Sequence, residues 1–276
     1  MSARLQTQNA SLGYDGHVIC PSTTLEIPDG LFTVILGPNA CGKSTLLKSL
    51  IRLLPPIEGT VLLDAKDIHQ RPTREVAREL GFLPQGPTAP DSIRVADLVA
   101  RGRYPHQTLF SPWTKADEEA VAHAMKVTGV SELSARHVDE LSGGQRQRVW
   151  LAMALAQETN IVLLDEPTTF LDPAHQIEML ELCRQLNRKD GTTLVAVLHD
   201  VNQACRYADH IIAMREGTVI AEGDPKAIIN AELVEAIYGM PCRVIDDPES
   251  HTPLVIPRWT HHDSQILQGT SEAPTD

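Results

Sequence analysis

The chain has 276 residues, 42% hydrophobic and 22% charged, which suits one large folded domain, or one with an inserted lobe, rather than a disordered polymer. Its formal net charge of −12 argues against a nucleic-acid-binding surface, which needs clustered Lys and Arg to neutralise phosphates. The same charge removes simple adhesion to anionic lipid as a route to a membrane and leaves a protein partner as the expected anchor.

In chain order, the N-terminal MSARLQTQNA lacks the apolar core and small-residue cleavage site of a secretory signal. No later apolar run approaches the ~18 to 20 residues that cross a bilayer, so a cytoplasmic protein is expected. From Leu31, LFTVIL predicts a short buried strand, followed by the turn-rich GPNACGKST and then TLLKSLIRLL, where Leu46, Leu50 and Leu53 fall at helical spacing. Between Gln85 and Gln157 no comparable strand signal occurs. Thr114 opens a helix there, with Asp117 in a capping-box position, Val121 and Met125 four apart, and Gly129 as the stop. This stretch is expected to be a helical lobe inserted into a sheet domain. IVLL at 161–164 and TLVAVL at 193–198 have the nearly continuous apolar character of parallel strands covered on both faces, and helical segments separate them. A hairpin around Glu216–Gly217, a helix through AELVEAIY, a second hairpin ending near Pro257 and a polar tail complete the prediction.

Three segments carry chemistry. Gly37 to Thr45 reads Gly37, Pro38, Asn39, Ala40, Cys41, Gly42, Lys43, Ser44, Thr45, a full GxxxxGK[ST] pattern between a strand and a helix. In such a loop the backbone amides and the helix N-terminus face the α- and β-phosphates of a nucleotide. Lys43 neutralises the β- and γ-phosphates, and the Ser44 hydroxyl is a hard ligand suited to Mg²⁺. Next, IVLLDE delivers Asp165 and Glu166 to the C-terminal end of a strand, the edge where open α/β sheets bind ligands. Asp165 is expected in the Mg²⁺ shell, and Glu166 as the group that polarises an attacking water. Alone, such an acidic pair is more often a helix cap; beside a phosphate loop the balance reverses. Finally, in LSGGQRQR, Ser142 is an N-cap, Gly143 and Gly144 expose backbone amides, and the helix from Gln145 to Ala156 aims its positive end outward at an anion.

Five cysteines (Cys20, Cys41, Cys183, Cys205, Cys242) form no CxxC pair, so neither a zinc knot nor a disulfide framework is indicated. Within the phosphate loop, a left-handed Ala would be strained, so Ala40 is expected at an ordinary negative φ. Cys41, next but one to Lys43, is expected to have a lowered thiol pKa and to be open to alkylation that blocks ATP.

The phosphate loop, Gln85, LSGGQ, the DE strand and His199 occur in the order seen in the ATP-binding cassette (ABC) superfamily, which the chain resembles from Tyr14 to about Pro257. The resemblance implies an α/β P-loop NTPase fold of ABC type. Its RecA-like, mostly parallel core would span 1–86 and 158–257 with an N-terminal antiparallel β part. A helical subdomain would be inserted at 87–157, and the tail would cover 258–276. It further implies ATP and Mg²⁺ as ligands and a head-to-tail pair of cassettes, most simply a homodimer, in which Ser142 and Gly144 of one cap the γ-phosphate held by the other. Tyr14 matches the aromatic that stacks on adenine, although an exposed strand aromatic would look the same. Gln85 matches the residue that senses γ-phosphate and Mg²⁺, Asp172 the loop that addresses the opposite site, and His199 the switch that contacts γ-phosphate. The remaining ten histidines are read as solvated or packing residues.

Within that superfamily, RVADLVARGRYPHQ, TTFLD, HDVNQACRYADHIIAM, GTVIAEGDP and CRVIDDPESHTPLVIP resemble the ATPases of bacterial ferric-siderophore importers. That implies a peripheral subunit on the cytoplasmic face of the inner membrane. It would sit beneath an integral-membrane permease of two copies or a heterodimer, fed by an extracytoplasmic siderophore-binding protein that it never touches. Importers of haem or cobalamin use similar ATPases and stand as alternatives. A soluble cassette of DNA repair or translation is disfavoured, because neither long heptad arms nor a second cassette is present and the charge is acidic.

Overall fold

The computed structural model describes residues 3–107 and 113–258. Strands β1 (Leu5–Tyr14) and β2 (His17–Ile27) form an antiparallel pair, followed by β3 (Phe32–Leu36), α1 (Lys43–Leu50), β4 (Glu58–Leu63), β5 (Lys66–Asp67), α2 (Thr73–Val76) and β6 (Leu80–Leu83). Then come α3 (Val95–Ala100), α4 (Lys115–Val127) and α5 (Gly143–Leu155), with no strand among the described residues of that stretch. The C-terminal part runs β7 (Ile161–Asp165), α6 (Pro173–Asp190), β8 (Thr193–Val197), α7 (Val201–Tyr207), β9 (His210–Arg215), β10 (Thr218–Gly223), α8 (Pro225–Ile228), α9 (Ala231–Tyr238), β11 (Cys242–Asp246) and β12 (Pro253–Pro257). Beyond residue 258 the expected tail lies outside the described residues.

Six strands form one sheet in the order β10-β9-β3-β8-β7-β6. All pairs from β9 to β6 are parallel, with Val34 opposite Ala196 and Leu163 opposite Val195. Every residue of β3, β7 and β8 is buried, which is why these strands read as unbroken apolar runs. Alternate side chains point to opposite faces. Phe32, Val34, Leu36, Leu194 and Ala196 pack with residues of α5, α6 and α7, whereas Ile35, Leu163, Val195 and Val197 pack with α1 and a second, antiparallel sheet, β2-β1-β4-β5. The sheet is thus covered by helices on one face and by α1 plus a β layer on the other. Each fully buried aliphatic contributes about 1.5 to 3 kcal/mol.

Thr114 and Asp117 cap α4 reciprocally, as the spacing predicts, and Gly129, at φ +69, follows its end. Asp117 also receives the Arg103 guanidinium, Nε to Oδ1 at 2.9 Å, where both side chains are almost wholly buried. Arg103 Nη1 donates in addition to the Ala156 carbonyl and to Glu158 Oε2, each at 2.7 Å. The pair therefore ties the start of α4 to the end of α5. Bonds from Arg103 and Thr114 hold the Asp117 carboxyl down at about 2. The expectation for Leu53 fails: α1 stops at Leu50, and Leu53 lies beyond it, 63% exposed.

Candidate active site

The parallel register brings the C-terminal ends of β3, β8, β7 and β6 to one edge. Each of these strands is followed there by a candidate residue: the Gly37–Thr45 loop after β3, His199 after β8, Glu166 after β7 and Gln85 after β6. These groups line a cleft of about 450 Å³, with Asn39, Ala40, Gly42, Lys43, Ser44 and Thr45 on the loop side and Gln85, Glu166 and His199 opposite. Ile19 of β2 completes the lining.

The Lys43 ammonium, whose residue is only 5% exposed, donates to the carbonyls of Gly37 at 2.9 Å and Pro38 at 2.8 Å across the loop. Burial pushes its pKa below the ordinary lysine value, against the raising influence of Cys41, Glu166 and Asp165. Ser44 Oγ donates to Asp165 Oδ1 at 3.0 Å, joining the two hard oxygen donors of the site. Burial raises the Asp165 pKa, and the Ser44 bond pulls the other way. Gly42 is the N-cap of α1 with φ +102, a conformation suited to glycine and the reason the chain can curl here.

Glu166 is pinned from three sides. Gln85 Nε2 donates to Oε2 at 2.6 Å, Thr169 Oγ1 donates to Oε2 at 2.9 Å, and His199 Nε2 lies 2.7 Å from Oε1. Its own φ is +52, an uncommon value for a side-chain-bearing residue. The carboxylate is thereby aimed across the cleft at the loop that carries Lys43 and Ser44.

Two expectations about the loop fail. Ala40 has φ +61, so the curl of the loop imposes the left-handed conformation that steric preference alone argues against. The Cys41 thiol is buried and its pKa is raised, because desolvation outweighs the lowering effect of Lys43. Cys20, beside Gly42, is pushed up to about 11 for the same reason. The outer side of the loop is held by the β9–β10 hairpin, whose Gly217 N–H donates to the Cys41 carbonyl at 3.0 Å.

The remaining candidates lie outside this cleft. Ser142 caps α5, accepting from the Gln145 N–H at 3.3 Å while its own N–H donates to Gln145 Oε1 at 3.2 Å. Gly143 lines a separate hollow with Gly86, Pro87, Trp150 and Phe170. Gly144 is packed so tightly that a Cβ there would sit 2.8 Å from the His175 ring. Asp172 caps α6, accepting from the His175 N–H at 3.0 Å, and also pairs with His175 Nδ1 at 2.8 Å; these contacts lower its pKa. Within one chain, then, Asp172 and Gly144 both meet His175. Sequence reasoning set His175 aside, although the Asp-x-x-His spacing at a helix start could have revealed it. Tyr14, at the end of β1, is 41% exposed and is not part of the cleft lining, where Ile19 stands.

The family model described as ABC transporter matches residues 21–169. The ferric enterobactin transport ATP-binding protein of Escherichia coli K12 is 58% identical over 92% of this chain and 94% of its own length. The achromobactin transport ATP-binding protein of Dickeya dadantii is 51% identical over 92% and 94%. Among solved structures, an ABC transporter assigned to the metal-chelate type, in an inward-facing conformation, is similar with a TM-score of 0.80 at 28% identity, over 94% of this chain and 98% of that one. A bacterial ABC transporter cassette solved as a dimer is similar with a TM-score of 0.70 at 27% identity, over 80% and 98%.

Proposed function

The chain belongs to the ABC transporter family, and on that premise we propose that it is the ATP-hydrolysing subunit that energises import of an iron–siderophore complex. The names of the relatives just described support that cargo class. One observation carries the enzymatic reading: a carboxylate, Glu166, fixed by Gln85, Thr169 and His199 and facing a GxxxxGK[ST] loop.

ATP enters the cleft with its phosphates on the Gly37–Thr45 amides and the start of α1, and Lys43 turns from the Gly37 and Pro38 carbonyls toward the β- and γ-phosphates. Ser44 and Asp165 suit Mg²⁺, because they supply two hard oxygens and this ion commonly completes its shell with phosphate oxygens and water. When bound, the ion would neutralise charge developing on the phosphates. Glu166 accepts a proton from the water that attacks the γ-phosphorus, the bond to the bridging oxygen of ADP breaks, and ADP and phosphate result. Such a base is worth roughly 10²- to 10⁴-fold in rate. Gln85 and His199 position the carboxylate and face the γ-phosphate.

The nucleotide-binding domain occupies 1–257, with a core of 1–86 and 158–257 and a helical subdomain of 87–157. Two copies pair head to tail, so that Ser142 and Gly144 of one complete the site of the other while Asp172 lies at the contact. ATP favours this closed pair through contacts that exist only there, and hydrolysis releases it. No described helix is long and apolar enough to cross a membrane. The subunit works from the cytoplasmic face of the inner membrane, on permease subunits served by an extracytoplasmic siderophore-binding protein.

Glu166→Gln keeps the shape of the carboxylate and removes its basicity. It is expected to retain ATP binding, lose turnover by at least 10²-fold and accumulate an ATP-bound dimer in size-exclusion chromatography with light scattering. Turnover near that of the parent enzyme would remove Glu166 from its role.

A further inference from the structure

The hydroxyl of Tyr238 is a buried titratable group beside the phosphate loop with no part in the hydrolysis just described. Tyr238 is the last residue of α9, which Gly239 closes at φ +66, its N–H donating to the Glu235 carbonyl at 2.8 Å. The ring packs against the main core. The Arg215 guanidinium, at the end of β9, donates to the Ala236 carbonyl, so the helix is fastened to the strand that runs beside the loop. Yet the Tyr238 oxygen, shut off from solvent, has no hydrogen-bond partner. Such an orphan is rare, because an unpaired buried polar group forfeits the bonds it made to water.

A second orphan faces it. Gly37, the first residue of the loop, is buried, and its N–H has no backbone acceptor among the described residues. Burial raises the Tyr238 pKa and the approach of the Gly37 amide pulls the other way, although the two groups do not meet in full hydrogen-bond geometry. The Gly37 peptide is hemmed in on the β9 side, where a Cβ would lie 2.4 Å from the Met214 carbonyl oxygen, and its own carbonyl is held by Lys43 Nζ at 2.9 Å. Active-site bonds that are loose in an empty enzyme commonly tighten once the ligand is bound. We infer that Tyr238 is a positioning residue for the phosphate loop: its hydroxyl accepts the Gly37 N–H when Lys43 lets go of the Gly37 carbonyl and turns to the phosphates. The bond would fix the peptide from which the curl of the loop starts. The inference rests on the nucleotide reading of the cleft. Tyr238 lies outside residues 21–169, so a C-terminal helix that the family model does not cover reaches the loop from behind.

The test compares the full chain with its Tyr238→Phe variant, which keeps the ring and loses only the oxygen. Affinity for a non-hydrolysable ATP analogue with Mg²⁺ is read by calorimetry, and stability by urea unfolding without nucleotide. Because the bond forms only when nucleotide is bound, the variant is expected to bind the analogue about 3- to 10-fold more weakly while its unfolding midpoint does not fall. Hydrogen exchange at the Gly37 amide, followed by NMR, is expected to slow on binding in the parent and much less in the variant. An affinity within about threefold of the parent overturns the assignment. So does a loss of affinity matched by destabilisation of the empty chain, which would make Tyr238 a packing residue, or Gly37 exchange that slows equally in both chains. A parent that does not bind the analogue removes the nucleotide reading and this inference with it. A binding parent with an indifferent Tyr238→Phe removes the inference alone.

Discussion

Asp117→Ala tests whether the buried ion pair secures the helical segment. The substitution removes one half of the reciprocal cap of α4, worth about 1 kcal/mol. It also strips a carboxylate from Arg103, which is 4% exposed. Breaking a buried pair from one side costs about 3 to 5 kcal/mol, and here the lower end applies, since Arg103 keeps Glu158 and the Ala156 carbonyl. The effects overlap, giving a loss of about 3 to 4 kcal/mol and a fall in Tm of roughly 5 to 7 °C for a chain of this size. Urea unfolding at neutral pH measures it. The sign of the pH dependence follows from the depressed carboxyl: its contribution is complete above the ordinary aspartate range near 3.8 and is lost as pH falls through about 2. The gap between parent and variant should therefore narrow between those values. A loss under about 1 kcal/mol, or a gap that is constant through that window, would refute the reasoning.

Ala40→Gly relieves a left-handed strain of about 1 to 2 kcal/mol and concedes about 0.4 to 1 kcal/mol of unfolded-chain entropy, so urea unfolding should show a net gain of up to about 1.6 kcal/mol; a destabilised variant would contradict it. Gly144→Ala drives a methyl into the His175 ring and is expected to cut turnover while nucleotide binding to the single chain persists. Adding His175→Ala should recover part of that turnover, and no recovery would place the defect elsewhere. Cys41, buried and with a raised pKa, should react with iodoacetamide at neutral pH more slowly than a model thiol, as followed by mass spectrometry; rapid labelling would show the thiol to be accessible.

Much of the site was legible because its residues follow strands that announce themselves. β3, β7 and β8 are covered on both faces, so each is an apolar run, and the chemistry-bearing residue comes directly after it. The antiparallel layer was not visible residue by residue. β1 has register shifts at Thr7/Ala10, Ala10/Leu12 and Leu12/Gly13, and these irregularities scramble the period of two on which pattern reading depends. Leu53 matched a helical spacing that the chain abandons at Leu50. Ala40 and Cys41 failed for a shared reason: a local rule, steric in one and electrostatic in the other, was overridden by the shape and burial of the whole loop. Ile19 and His175 reach their places only through tertiary contact, from β2 to the loop and from α6 to α5.

The bond from the Gly217 amide to the Cys41 carbonyl has a thermodynamic consequence for the nucleotide loop. A segment braced from behind by a β-turn does not have to be immobilised by its ligand, so little of the association free energy is spent on ordering it. More of that energy is left to act on the slower, larger movement of one cassette against another.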